Sequence, residues 1–482
     1  MSILSWEVWT ILIPLVGAVL AFLWSNRAVR LGLATVHLVF LAVVLLGYEV
    51  LVHGVQQHTV GGWEAPLGIV LYADGLAVLM LIMIAMVTWL ISWYATAYFA
   101  DDPGKAQQFW PLWLFLLAAM NALVLSRDIF NIYVTLELVG LAAVALAALA
   151  GSAAAIGAAM RYLLVSLLGS LCYLLGVALL YHGYGSVDIV ILAQKVLPGP
   201  VVWVAMGLMT VGLMMKVALF PLHFWLPPAH ASAPAPISAM LSALVVKLGV
   251  YLLLRLWLEV FPDDTAALGS VLALLGCLAI VWGSLQALRQ SRLKLLVAYS
   301  TVAQLGYLFI AFAFAATTSA ATAWQGAVFF MLSHALAKAA MFLAAGNLMK
   351  FGGHDRIADL DRAVQRLPLT TAAFGLAGVT ILGLPPSGGF IAKWMLLEAS
   401  IETGQWWWAA IMLLGGLLAA AYIFKVLGYA FTQADVTHAP RPVPRRMEWA
   451  AFGLAAGSVV LGLIAPFVFD FLAIGQPLED GS

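Results

Sequence analysis

The sequence predicts an all-α polytopic membrane protein of about fourteen transmembrane helices, with two inverted five-helix repeats that each contain one broken helix. Three observations carry this. Of the 482 residues 64% are hydrophobic and only 9% charged, far from the balance of a soluble globular domain. Apolar runs of about 20 residues, the length needed to cross a bilayer, recur along the whole chain between polar or Pro/Gly breaks. The charges that remain are unevenly placed: they fill alternate connections, and a few sit inside the runs themselves. Lys+Arg and Asp+Glu both number 22, so net charge gives no reason to expect nucleic acid or acidic partners.

The elements follow in order. The first run, 8–24, has Glu7 before it and Arg27 and Arg30 after it, the reverse of a secretory signal, and is expected to be a retained span. Run 28–50 follows, then 71–99, where Asp74 stands at the start and suits a helix cap better than an ion site. Runs 108–126, 127–150 and 159–182 are uninterrupted. The seventh, 201–222, ends in a proline-broken stretch from Lys216 to Pro228, and the eighth, 234–257, starts at Pro234. Runs 266–288, 294–316 and 323–349 lead to the twelfth, 370–400, which is broken by Gly383-Leu384-Pro385-Pro386-Ser387-Gly388-Gly389-Phe390. The thirteenth, 406–432, opens on Trp406, Trp407 and Trp408, read as an interfacial belt, and 447–470 is the last. Cys172 and Cys277 fall in apolar runs and read as small core residues, with neither a disulfide framework nor a metal site expected.

Loop charge tests this order, because cytoplasmic connections hold the Lys and Arg. Connections after odd-numbered spans carry Arg27, Arg30, Lys105, Arg161, Arg289, Arg292, Lys294, Lys350, Arg356, Arg362, Arg366, Arg441, Arg445 and Arg446. Those after even-numbered spans carry only Arg127, Lys195 and Arg255. One miscounted central span would erase this bias. It therefore predicts an even number of spans, with both termini on the non-cytoplasmic side of a bacterial cell (inner) membrane.

A proline at membrane depth frees backbone groups, and these are tolerated only where protein or a wet cavity satisfies them. The two broken spans therefore mark candidate ion paths. They lie five spans apart, and each has a lysine beside it, Lys216 and Lys393. An odd number of spans per copy forces two copies into opposite orientations, the inverted-repeat plan of many transporters. The expected division is 1–107 for spans one to three, 108–257 for the first repeat, 258–432 for the second, and 433–482 for span fourteen and the tail.

Glu137 is the only carboxylate near the middle of a run, and Lys216, Lys247, Lys338, Lys393 and Lys425 also lie within spans. A charge at the bilayer centre costs at least about 2.5 kcal/mol, so such residues are functional candidates by default. Lysine and glutamate can take and release protons when burial and a partner shift them toward neutrality, whereas arginine stays protonated. This favours a proton relay, against the alternative of a structural ion pair between Glu137 and Lys216. His334 and Lys338 stand four apart and share a helix face, so His334 could pass protons between the Lys216/Lys247 half and the Lys393 half. The alternative for His334 is a histidine bonded to a nearby carbonyl. Lys425, nearer its span's end, could equally snorkel to the interface. There is no phosphate-binding GxxxxGK[ST] motif, no metal-spaced Cys/His cluster and no paired mid-span histidines for haem, so no cofactor and no redox or hydrolytic chemistry is expected within the chain.

Taken together, Glu137 in the fifth span, Lys216–Pro228, the run Ala233–Tyr251 with Lys247, His334 with Lys338, and Gly383–Lys393 resemble the antiporter-like subunits of Mrp-type Na⁺/H⁺ antiporters, respiratory complex I and membrane-bound hydrogenases. The resemblance covers roughly spans three to thirteen. It implies a proton channel in which Glu137 and Lys216 form a switching pair, Lys247 and His334 connect laterally, and Lys393 gates exit. Length, lysine at 393 and the Lys247–Tyr251 run are most similar to the D-type subunit of Mrp antiporters, which implies other membrane subunits as partners, protons and possibly Na⁺ as cargo, and no nucleic acid. The alternatives are a NuoN/NuoM-type subunit of complex I or a hydrogenase, a proton-coupling partner of a solute-uptake system, and an inactive scaffold. Against the scaffold stands the cost of keeping unused buried charges.

Overall fold

A computed structural model describes residues 5–261, 266–434 and 441–475. Part of the connection before the last expected span, and the tail beyond 475, lie outside the described residues. The chain begins with α1 (Trp6–Leu23) and α2 (Ala28–His53), then a short hairpin of β1 (Gln56–Thr59) and β2 (Val70–Ala73), paired antiparallel with Gln56 opposite Ala73. Next come α3 (Gly75–Tyr98), α4 (Pro103–Leu125), α5 (Ile129–Ala148), α6 (Ala153–Tyr184) and the short α7 (Ile189–Lys195). The first broken element is α8 (Pro200–Val217) followed by α9 (Leu226–Ser232). The next crossing is α10 (Ala235–Met240), a π-turn at Leu241–Val245, and α11 (Val246–Glu259). Then come α12 (Ala266–Arg289), α13 (Leu293–Ile310), α14 (Ala320–Gly352), the one-turn α15 (Ala363–Arg366), and the second broken element, α16 (Pro368–Leu382) with α17 (Gly388–Glu402). The chain closes with α18 (Trp406–Phe431), α19 (Arg445–Leu463) and α20 (Ala465–Leu472).

The helix starts are set by short polar side chains that accept from backbone amides otherwise left free. Asp74 caps α3 through Ala77 N, Asp128 caps α5 through Asn131 N, and Ser387 caps α17 through Phe390 N. Helix ends use left-handed residues: Gly185 after α6, Gly353 after α14 and Gly383 after α16.

Among the described residues twelve helical segments are long and apolar enough to cross a membrane, or thirteen if α19 and α20, bent by 76° to each other, are one span. The expected fourteen is reached only by also counting α16 and α17 as one crossing. Each has 15 residues, about 22 Å at 1.5 Å per residue, short of a 30 Å hydrocarbon layer. The assignment of loop charges needs two corrections. Arg255 lies inside α11, which ends two residues beyond the expected 257, and its guanidinium is paired with Asp74 rather than displayed in a connection. Lys294 is the second residue of α13 and is buried rather than displayed in a connection.

Burial sorts the helices into two classes. The crossings at 235–259 and α14 are wholly enclosed by protein, whereas α1, α2 and α18 turn most of their apolar surface outward, as lipid-facing helices do. Close crossings hold the bundle together where side chains are absent. A Cβ on Gly212 of α8 would lie 2.4 Å from the carbonyl of Gly169 in α6, and one on Gly306 of α13 would lie 2.2 Å from that of Gly276 in α12. Backbones that approach this closely gain dispersion contact, which must substitute inside a bilayer for the missing hydrophobic drive.

Candidate functional site: a buried line of lysines

Glu137 and Lys216 meet as expected. Glu137 lies on α5, and its Oε1 is 3.5 Å from the Lys216 Nζ at the end of α8. The ammonium also donates to Ser166 Oγ on α6 at 3.0 Å. Glycine at 140, one turn along α5 from the carboxylate, makes room for this: a Cβ there would lie 2.8 Å from Ser166 Oγ and 3.8 Å from the ammonium. Lys216 is nearly enclosed, while the Glu137 side chain keeps 20% of its surface open. The helix ends one residue later. Ala218 takes a left-handed conformation, φ 60°, and the chain turns into Pro221, so the lysine stands at an interrupted helix end.

A cavity of about 20 Å³ touches Gly140, Ser166 and Lys216 on one side and Val245, Leu248 and Gly249 on the other. That is space for about one water molecule between Lys216 and the helix that carries Lys247. Lys247, fully buried, donates to the Ser242 carbonyl within the π-turn. A π-turn widens the backbone spiral and loosens the normal i to i+4 bonding, which leaves that carbonyl open to a side chain.

From this turn a hydroxyl path crosses to the next helices. Ser242 Oγ and Thr301 Oγ1 are 2.8 Å apart, and Thr301 donates to the Val297 carbonyl at 3.1 Å. The same carbonyl accepts from Lys338 Nζ at 3.3 Å, and Lys338 also donates to Ser300 Oγ. His334, one turn away on α14, stacks on Phe330 with ring centres 5.5 Å apart. Neither of its ring nitrogens meets a protein partner among the described residues, so the carbonyl-bonded alternative is not what the structure contains. Lys247, Lys338 and Lys393 all lie close enough to act on it electrostatically.

Lys393, on α17, reaches back across the second break to the last carbonyls of α16, Ile381 O at 2.7 Å and Leu382 O at 3.4 Å. Its ammonium sits 4.2 Å from the centre of the Tyr307 ring and 5.9 Å from that of Phe330. Ring faces and orphan carbonyls both carry negative potential, and together they hold a cation with no carboxylate present. All six candidate residues, Glu137, Lys216, Lys247, His334, Lys338 and Lys393, therefore occupy one interior band from α5 to α17.

The remaining charged residues singled out from the sequence fall elsewhere. Lys425 donates to Leu288 O at 2.7 Å and Gln290 O at 2.8 Å, closing the C-terminal end of α12. Asp74 caps α3 as expected, but it also takes two bonds of 2.6 and 2.5 Å from Arg255. Arg255 reaches Glu259 at 2.7 Å, and Glu259 pairs with Arg127 at 3.1 Å. This buried network lies beside the hairpin, with Arg127 3.6 Å above the Tyr72 ring. Beside it Asp128 is pushed above the usual carboxylate range by burial. Two residues that the sequence did not mark as candidates join the band: His230 of α9, fully buried, and Lys294 of α13, whose Nζ donates to the Ala233 carbonyl. Lys294 follows Arg292 and reads as loop charge. His230 lies in a proline-rich connection with no helical periodicity around it.

Residues 126–419 match the family model described as NADH:quinone oxidoreductase/Mrp antiporter, TM, and 59–109 match that of the complex I chain 5 N-terminus. The N-type subunit of the NADH-quinone oxidoreductase of Desulforudis audaxviator is 35% identical over 94% of this chain and 94% of its own. The D-type subunit of the Na(+)/H(+) antiporter of Bacillus subtilis is 28% identical over 95% and 94%. In fold, a chain of the Mrp complex from Dietzia sp. DQ12-45-1b superposes with a TM-score of 0.89 at 24% identity, covering 98% of this chain and 96% of that one. A shared membrane fold, a family model matching more than half the chain and a relative above 30% identity over nearly all of it place this chain in the NADH:quinone oxidoreductase/Mrp antiporter family of membrane subunits.

Proposed function

We propose that this chain is the proton-translocating subunit of a multi-subunit monovalent cation (Na⁺)/H⁺ antiporter, moving protons along Glu137, Lys216, Lys247, Lys338, His334 and Lys393. The observation that carries it is the band of buried basic groups, in which Ser242, Thr301 and the Val297 carbonyl link Lys247 to Lys338, and a cavity the size of one water separates Lys216 from the helix of Lys247. Lys247, Lys338 and Lys393, held by carbonyls, a hydroxyl and ring faces rather than by carboxylates, can lose a proton without leaving a buried anion behind. The Na⁺/H⁺ antiporter proteins of D type among the relatives supply the cargo in this reading. The Lys/Arg-rich loops are assigned to the cytoplasmic side of a bacterial cell membrane, with both termini opposite.

The test is proton and sodium flux in everted vesicles from an antiporter-deficient host carrying the full gene cluster. Sodium-dependent proton movement that disappears in Glu137→Ala and Lys216→Ala, with the complex still assembled, is the expected result. Wild-type rates in both variants would remove the relay. A second reading, in which a redox partner drives the chain as a proton pump, is favoured by the 35% identical NADH-quinone oxidoreductase relative. It predicts no sodium response, with mutation-sensitive proton pumping only when a respiratory donor is supplied.

A further inference from the structure

Beside the first break two aromatic rings lie face to face. Trp225, at the end of a 3₁₀ turn (Leu222–Trp225) between α8 and α9, stacks on Tyr162 of α6 with ring centres 4.2 Å apart and planes 4° from parallel. Both residues are buried, Trp225 completely. The edge of the indole donates from Nε1 to the Met215 carbonyl at 2.9 Å, one residue before Lys216. An indole does both with one side chain, its face stacking and its single N–H donating.

Two facts separate this from ordinary closure of a helix end. The Met215 carbonyl already accepts from the Ala218 amide at 3.3 Å, so the indole bond is not needed to satisfy it. Tyr162 stands one turn before Ser166, whose hydroxyl accepts from Lys216, and it lines the cavity of about 20 Å³ between Lys216 and the helix of Lys247. The stack therefore joins the backbone that carries Lys216 to a wall of the space in front of it. The same stretch of α8 also packs directly on the helix of Lys247: a Cβ on Gly249 would lie 2.6 Å from Val217 Cγ2. Loosening the indole would thus shift the end of α8 against both the cavity and the next carrier of charge.

We propose that Trp225 is a positioning residue for proton transfer from Lys216 toward Lys247, holding the end of α8 and the Tyr162 ring at the separation that fits one bridging water. This rests on the relay reading above. In that step the Lys216 ammonium gives a proton to the water as the water passes one of its own on toward the neutral amine of Lys247. Lys216 is left as an amine, Lys247 becomes the ammonium, and the water is regenerated. Such transfer weakens steeply as the gap widens, and a misplacement of about 1 Å can cost about 100-fold. Trp225 itself exchanges no proton; it acts through the positions of Met215 and Tyr162.

The test measures coupled transport per assembled complex in everted vesicles, in H₂O and in D₂O. Trp225→Phe keeps a ring to stack and loses the bond to Met215 O, Trp225→Leu loses both, and Tyr162→Leu loses the stack and keeps the bond. Transport is expected to fall about tenfold in Trp225→Phe and Tyr162→Leu and about 100-fold in Trp225→Leu, with the sodium concentration for half-maximal rate unchanged. The H₂O/D₂O rate ratio should rise above that of the unmodified chain, because a widened gap makes the proton step the slow one. A purely structural role lowers the number of working complexes and leaves that ratio where it was. In membranes where Glu137→Ala abolishes transport, unchanged rates in Trp225→Phe and Trp225→Leu, or lower rates with the ratio unmoved, overturn the positioning role and leave the relay standing. Near-normal transport in Glu137→Ala removes both. If the Trp225 variants do not assemble, Tyr162→Leu decides by the same two readings.

Discussion

Lys216 and Lys393 stand beside equivalent interruptions, yet they are held by different chemistry. Lys216 has a carboxylate and a hydroxyl; Lys393 has two carbonyls and a ring face. Removing the ring in Tyr307→Leu should therefore weaken the Lys393 site by about 1–2 kcal/mol, the worth of a desolvated cation–π contact, and slow transport about tenfold. Tyr307→Phe keeps the ring face, loses only the 2.9 Å bond to Met412 O and should stay close to wild type; equal damage in both would refute the cation–π account. Lys425→Ala should be mild in flux and cost about 1 kcal/mol of stability, because its contacts close a helix end. Flux measured beside thermal unfolding of the complex separates the two effects. The six candidates were legible because charge inside an apolar run is rare enough to stand out. Ser166, Ser242, Ser300 and Thr301 were not, since hydroxyls in such runs commonly bond their own helix backbone and carry no signal of a partner.

At the scale of elements, each break combines a left-handed residue with a following proline: Ala218 with Pro221, and Gly383 with Pro386. The prolines made both interruptions visible in the sequence. Gly383 has φ +82°, and a Cβ there would lie 2.7 Å from Lys393 Cδ, so Gly383→Ala meets backbone strain and the lysine stem at once. Its cost should be about 1–2 kcal/mol, with transport falling further than stability because Lys393 is displaced from Ile381 O. A flux loss no greater than the stability loss would mean the lysine's position is unimportant. The π-turn before Lys247 was invisible beforehand. No residue type announces it: the carbonyl it exposes, that of Ser242, is satisfied by Lys247 one turn on, while the Ser242 hydroxyl pairs with Thr301 on another helix.

For the molecule as a whole, hydrophobicity and loop charge were enough to read an all-helical membrane bundle. The number of crossings was harder, because 368–402 and 445–472 are interrupted or bent, and run length cannot say whether a broken helix passes through or turns back. Arg255 was misplaced for a related reason: at the edge of an apolar run, a buried arginine with two carboxylates looks like loop charge. That network ties the start of α3, the α4–α5 connection and α11 together near the hairpin. Arg255→Ala would leave Asp74 as an uncompensated buried charge, with Glu259 still paired to Arg127, and should destabilise the protein by about 3–5 kcal/mol, seen as loss of assembled complex in the membrane. Normal yield and melting temperature would show the network to be dispensable.

The 33 residues of α14 make a rod of about 50 Å, much longer than the hydrocarbon layer is thick. Its far end carries Lys350, paired with Asp101 in the α3–α4 turn, while His334 and Lys338 sit near its middle on one face. A continuous helix is stiff along its axis, so a piston stroke or tilt imposed at that end arrives at both residues together and with the same sign. A displacement of the α3–α4 turn passed on through Lys350 would therefore reach His334 and Lys338 through one rigid element rather than either alone.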